Sequence, residues 1–248
     1  MMRYVSILFS FCLLSAPLAA QTLNLTSSLP ADITIALAEA FDEQIGIGVS
    51  VHWENTGQAT EQLTAAGIPE GDVLLTSDVL NLLRLQQLGH FQSSPLTSFP
   101  GYLRGEENQW VAISASVRLI IYTERQDGPV PRSYRDLAER SYFGGLCLSP
   151  ARRAGNISLV TNSLSRMGRR AVENWLDGLA GNMAVVPLGH DYDQLHVLQN
   201  GECVAGLIPS DLYARLLGSS ATADRELLQG LQVIAPSQPN LDFTFAAI

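Results

Sequence analysis

Arg152 and Arg153 stand just before Asn156, a residue type that caps helix N-termini. Two guanidinium groups beside the free N–H groups of a helix start would make an anion site. The plainer reading is a pair of solvated arginines on a loop. Asp78 and Asp211 each stand at the start of a helical run, where a carboxylate serves either as a cap or as a ligand donor. Asp191 and Asp193 lie two apart, so on a helix they diverge and cannot act as an acid–base pair. All 15 basic residues are arginine, which excludes a phosphate-loop lysine and a Schiff-base lysine. There is no Gly-x-Ser-x-Gly elbow and no Cys/His spacing suited to zinc. The four histidines, His52, His90, His190 and His196, are scattered. Nothing in this inventory reads as an enzyme.

The remaining chemistry is one of compartment and charge. The 24 acidic residues give a net charge of −9, which argues against nucleic-acid binding. Residues 1–20 carry one charge, Arg3, ahead of a short apolar run and the small residues Ala19 and Ala20. This is the pattern of a secretory signal peptide and predicts a periplasmic protein. Cys147 and Cys203 follow it, and an exported chain permits a disulfide between them, though spacing alone leaves the pairing open.

The elements that must position these residues alternate. Short apolar strands are predicted at Leu23–Thr26, Ile47–Trp53 and Asp72–Leu75, with helices over Ile33–Phe41, Gln58–Ala66 and from Ser77-Asp78 onward. This order predicts an α/β fold with a mainly parallel sheet. Further strands are expected at Trp110–Ile113, Val117–Tyr122, Leu146–Leu148, Cys203–Ile208 and Leu231–Ile234. Helices are expected from Asn156 through Arg170, over Glu173–Leu179, over Asp191–Gln199 and over Asp211–Leu217. Trp53, Trp110 and Trp175 read as core. Two lobes follow: a first over 21–113, to which 233–248 returns, and a second over 114–232. Open α/β sheets bind ligands beyond the carboxyl ends of their strands. That rule selects Ser28, Ser77 and Asp78, the loop with Ser149, Arg152, Arg153 and Asn156, and the run Ser210, Asp211 and Tyr213 as candidate ligand contacts.

Several segments in this order resemble the periplasmic ferric-ion-binding proteins, the solute receptors of ABC-type iron(III) importers. They include Asp72-Val73-Leu74-Leu75-Thr76, Trp110–Ser114 with Arg118–Tyr122, Cys147-Leu148, Asn174–Leu179, Gly201-Glu202-Cys203 and Ala214–Leu217. The resemblance covers about Leu23 to Ile248. It implies a two-lobed type II periplasmic binding protein fold, capture of a small solute by hinge closure, and delivery to a permease in the inner membrane by a monomeric receptor. Fe(III) is implied as the solute. Tyrosinate oxygen is a hard donor suited to that hard ion. Yet where the family carries an adjacent tyrosine pair, this chain has Asp211 and Leu212. Where a further tyrosine falls, it has Gly155. The first-loop ligands fall near Pro30 and Ala31, and some members' glutamate falls at Ser77. Tyr213 is one step beyond the pair, a rotation of about 100° on a helix, which favours packing over ligation. Family members also continue past the strand matching Asp242–Ala246, so the resemblance implies that the C-terminal part of the fold is missing. The alternatives are a diverged receptor for a small anion, or a remnant or interaction protein that binds no solute.

Overall fold

In a computed structural model, the structure describes residues 22–53, 71–95, 98–124, 129–187 and 189–248. The segment read as a signal peptide and the helix expected over 58–66 lie outside the described residues.

Strands β1 (Thr22–Ser27), β2 (Gly48–Trp53) and β3 (Val73–Thr76) pair in parallel, β1 lying between β2 and β3. Helix α1 (Ala31–Ile45) connects the first two and ends at Gly46, which takes φ 74°. That left-handed cap is open to glycine at no steric cost. Helix α2 (Val79–Gln87) starts on Asp78, whose carboxylate accepts the N–H groups of Leu80 and Asn81.

The expectation of a mainly parallel sheet fails beyond β3. Strand β8 (Leu241–Ala247) returns from the end of the chain and inserts antiparallel between β3 and β4 (Trp110–Thr123). The two strands expected at 110–113 and 117–122 are one. Hydrogen bonding to β8 carries β4 through the polar stretch Ser114–Ser116, with a register shift between Ala112 and Ser114. The far half of β4 joins a second set. It pairs antiparallel with β6 (Ala205–Pro209) and β7 (Leu231–Ile234), and β6 pairs in parallel with the short β5 (Leu146–Cys147). A strand fed from a remote segment leaves no local periodicity signal, so its insertion is invisible to a reading made along the chain.

Side-chain alternation on β4 builds two cores from one strand. Ile120 enters a cluster with Leu137, Leu146, Leu159, Val172, Trp175 and Leu179. Leu119 and Ile121 enter another with Leu195, Leu198, Ile208, Leu212 and Leu216. The helices covering these faces are α3 (Ala154–Met167), α4 (Arg169–Gly181), α5 (Asp191–Gln199), α6 (Ser210–Gly218) and the short α7 (Thr222–Glu226). The single helix expected from Asn156 through Arg170 is broken at Gly168, whose φ of 78° and ψ of 161° suit glycine and no helix. A third cluster, with Leu82, Leu85, Phe91, Ala112 and Phe245, fills the space under α2. Trp175 is core, as expected. Trp53 is not: it is 49% exposed. Cys147 and Cys203 form a disulfide, with Cα atoms 5.9 Å apart, tying β5 to the segment before β6.

Candidate functional site

The strand ends of both sheets open onto one cleft of about 1370 Å³. Its lining includes Ser28 after β1, Ser77 after β3, Arg153 before α3 and Asp211 in the first turn of α6. Trp53 lines it too, which explains its exposure. Five aspartates and three arginines face this space: Asp32, Asp191, Asp211, Asp224 and Asp242 against Arg118, Arg153 and Arg215. The cleft therefore shares the acidic balance of the whole chain.

The other candidates from the sequence sit elsewhere or are already engaged. Asp78 caps α2 and lines, with Ser77, a separate pocket of about 200 Å³ between α2 and α3. Ser149 is buried. Asn156 does not cap α3, because that helix begins at Ala154; its amide instead donates to the Ser149 and Pro150 carbonyls. The Ser210 hydroxyl accepts the Val117 N–H. Arg152 is exposed on a turn away from the cleft. Tyr213 packs on the core under α6, the outcome that the 100° rotation favours. Asp211 is not the cap of α6 either, since Pro209 holds that position.

The residue that organises the floor is Arg118, which sequence reasoning missed. It is 2% exposed, in the middle of β4. Its Nη1 and Nη2 grip both carboxylate oxygens of Asp191 at 3.0 and 2.9 Å. Nη2 also donates to Asn156 Oδ1 at 2.8 Å and to Ser149 Oγ at 3.3 Å. Gln194, fully buried, donates to Asp191 Oδ1 and so fixes the carboxylate from behind. The signal was available: a lone arginine inside the apolar run Val117-Arg118-Leu119-Ile120-Ile121 must be paired once the strand is buried.

Two neighbours complete the floor. A Cβ on Gly155 would lie 2.8 Å from Arg118 Nη1 and 3.0 Å from Asp242 Oδ2, so no larger residue fits there unless these move. Burial pushes the Asp242 carboxyl up from its ordinary range, although a hydrogen bond from Ser158 and the Arg118 charge oppose that. The Tyr134 hydroxyl donates to the Arg118 carbonyl at 2.6 Å and accepts the Asn240 N–H at 3.0 Å. It thereby pins β4 to the entry of β8 where the two sheets meet.

The walls carry two further contacts. Arg215 on α6 reaches Asp32 on α1 at 3.2 Å, a salt bridge that spans the cleft. On the α5 side, the Tyr192 hydroxyl donates to Asp224 Oδ1 at 3.1 Å, and Ser219 donates to Oδ2 at 2.6 Å. These two hydrogen bonds hold the Asp224 carboxyl below its ordinary range, with Arg215 and Arg225 adding to the effect. Among the described residues, no group of three or more His, Cys, Asp or Glu side chains is arranged to hold a metal ion. The four histidines do not converge on the cleft; only His190 lines it.

No family model matches the chain. It is 29% identical over 223 residues to iron uptake protein A2 of Synechocystis sp., which covers 88% of this chain and 63% of that protein. The chain thus spans less than two thirds of the length of this curated relative. Its fold matches the ferric binding protein from Campylobacter jejuni with a TM-score of 0.82, at 24% identity, over 91% of this chain and 75% of that one. A Trichodesmium protein in complex with iron and citrate ligands matches with a TM-score of 0.75 and 26% identity, again over 91% and 75%. In sequence through the iron uptake proteins, and in its two-lobed α/β fold through the solved receptors, the chain resembles the periplasmic ferric-ion-binding proteins.

Proposed function

We propose that the chain is the periplasmic solute-binding component of an ABC-type importer for iron(III). The observation that carries this reading is the 29% identity to an iron uptake protein across most of the chain. The chain is divided into a first lobe over 21–113, with 233–248 returning to it, and a second over 114–232. β4, which pairs with β8 in the first lobe and with β6 in the second, is the hinge about which closure traps the solute. The loaded monomer docks on a permease in the inner membrane, and it performs no catalysis. Residues 1–20 direct export, and the Cys147–Cys203 disulfide suits an oxidising compartment.

Ser28, Ser77, Arg153 and Asp211 are assigned to ligand contact because they line the cleft. Ser149, Asn156 and Ser210 support it through the hydrogen bonds described, whereas Asp78 caps α2 beside the separate small pocket. The tyrosine ligands that the resemblance implies are replaced in this reading. Gly155, Asp211 and Leu212 stand in their places, and at 155 the Arg118 guanidinium fills the room a side chain would need. The test is a thermal shift with Fe(III)-citrate against citrate alone. A ligand at a hundred times its Kd stabilises by about 2.7 kcal/mol, a shift of several degrees. No shift, and no visible absorption, would sink the iron reading.

A second reading, a receptor for a small anion, draws on Arg153, which lines the cleft at the N-terminus of the 14-residue α3. Arg152 adds nothing to it from its exposed turn. A phosphate or carboxylate thermal shift that survives Arg153→Ala would exclude that site.

A further inference from the structure

Of the three salt bridges among the described residues, only Arg215 to Asp32 joins the two lobes. Asp32 stands in the first turn of α1 and Arg215 in the last turn of α6, 183 positions apart in the chain. Helix α6 touches β4 at its start, where the Ser210 hydroxyl accepts the Val117 N–H. Arg215 lies five residues further on, about 7 Å along the helix axis. Asp32 belongs to none of the strands that pass between the lobes. Rotation about β4 moves atoms more the farther they lie from that strand. The contact therefore forms only while α1 and α6 are drawn together, and it breaks when the cleft widens.

Both partners suit a contact that forms and breaks. Neither side chain is buried, so water solvates each carboxylate and guanidinium when they part. Asp32 sits at a helix N-terminus, which stabilises a carboxylate without a partner. Arg215 has a second anion on its own lobe, Asp224 of α7, whose carboxylate is fixed by Tyr192 and Ser219 and already feels the Arg215 charge. The guanidinium can exchange one carboxylate for the other and is stranded in neither state. Holding Asp32 has its own cost: the Arg215 Nε–H is buried without an acceptor among the described residues. An exposed ion pair gains little, so gain and cost come close to cancelling. A solute then needs only a modest preference for the closed form to shift the balance.

We propose that Arg215 and Asp32 form a latch that holds the cleft partly closed in the absence of solute, with Asp224 receiving the Arg215 guanidinium when the lobes part. The latch rests on the hinge reading above and is independent of whether iron is the solute. It makes the balance of open and closed forms depend on salt, because screening weakens the pair.

Spin labels at Glu39→Cys on α1 and Glu226→Cys on α7, both exposed positions, measure the distance between the lobes by double electron–electron resonance. The full chain is used with Cys12→Ser, and the Cys147–Cys203 disulfide takes no label. Without solute, the labelled parent should give a short and a long distance, and a tenfold rise in salt, ~10-fold in ionic strength, should favour the long one. Asp32→Asn and Arg215→Gln should each raise the long-to-short ratio about two- to fivefold, the range of an exposed pair. The double variant should raise it no further, since either change alone removes the contact. Arg169→Gln, which breaks the exposed pair with Glu173, should leave the ratio unchanged. Circular dichroism and melting temperatures check that each variant folds. If Fe(III)-citrate shortens the distance while salt and the variants do nothing, the latch is overturned and the hinge reading stands. Additive effects of the two single variants also overturn the latch, because the residues then act separately. A single distance that salt, the variants and Fe(III)-citrate all leave in place overturns both.

Discussion

Replacing Asp191 with alanine would leave the Arg118 guanidinium buried with two of its four hydrogen bonds. The Arg118 side chain is 3% exposed and that of Asp191 14%. What goes is a bidentate, charge-assisted pair at 2.9 and 3.0 Å. What stays is Asn156 Oδ1 and a long contact to Ser149 Oγ. Breaking one side of a buried ion pair costs about 3–5 kcal/mol, because the other charge is stranded away from water. Asp242 softens this: its carboxyl, now held up by burial, would ionise more readily beside an unpaired Arg118. The expected loss is therefore near the lower end, about 3 kcal/mol. Urea unfolding followed by tryptophan fluorescence measures it. With a slope of about 2 kcal/mol/M, the midpoint should fall by about 1.5 M at unchanged slope. Asp193→Ala is the reference, since that carboxylate caps only the His190 N–H at the exposed start of α5 and should cost about 1 kcal/mol. If Asp191→Ala costs no more than Asp193→Ala, the guanidinium is not desolvated as described. The double variant Arg118→Met with Asp191→Leu should recover most of the loss, because it removes both charges together.

Three further outcomes follow from the same floor and its support. Gly155→Ala forces a methyl to within 2.8 Å of Arg118 Nη1, so it should destabilise by about 1–3 kcal/mol by overpacking, read as a lowered melting temperature. Asp242 binds its proton more tightly folded than unfolded, so its contribution to stability is fully present below the ordinary carboxylate pKa and lost as pH rises through the raised one; Asp242→Asn should flatten that limb of the stability–pH curve and leave the variant more stable at neutral pH. Reducing the Cys147–Cys203 disulfide frees a loop of 56 residues, and chain-entropy reasoning puts the loss at about 4 kcal/mol, seen as a lower urea midpoint in the Cys147→Ala/Cys203→Ala variant.

Local elements were legible in the sequence wherever local chemistry decides them. Helices α5 and α6, strands β1, β2 and β7, and the Asp78 cap follow from periodicity and capping residues. Gly168 was readable as a break, yet the arginines around it kept the helical spacing and hid it. The insertion of β8 and the fusion of two short strands into β4 depend on partners far along the chain, which no window contains. The site divides in the same way. Strand-end loops were found because topology alone places them, so Ser28, Ser77, Arg153 and Asp211 reach the cleft. Arg118 was missed because its role comes from what faces it, Asp191, supplied by another element.

Strand β4 spends fourteen residues serving two sheets, and its side chains alternate without pause from Val117 onward. A single residue inserted at Ser116 would turn the far half over. Ile120 would then face the side now filled by Leu119 and Ile121, and Arg118 would point away from Asp191. The strand is thus a ruler shared by both halves of the molecule. Drift in length should be barred from this stretch and confined to the loops, where an added residue inverts nothing.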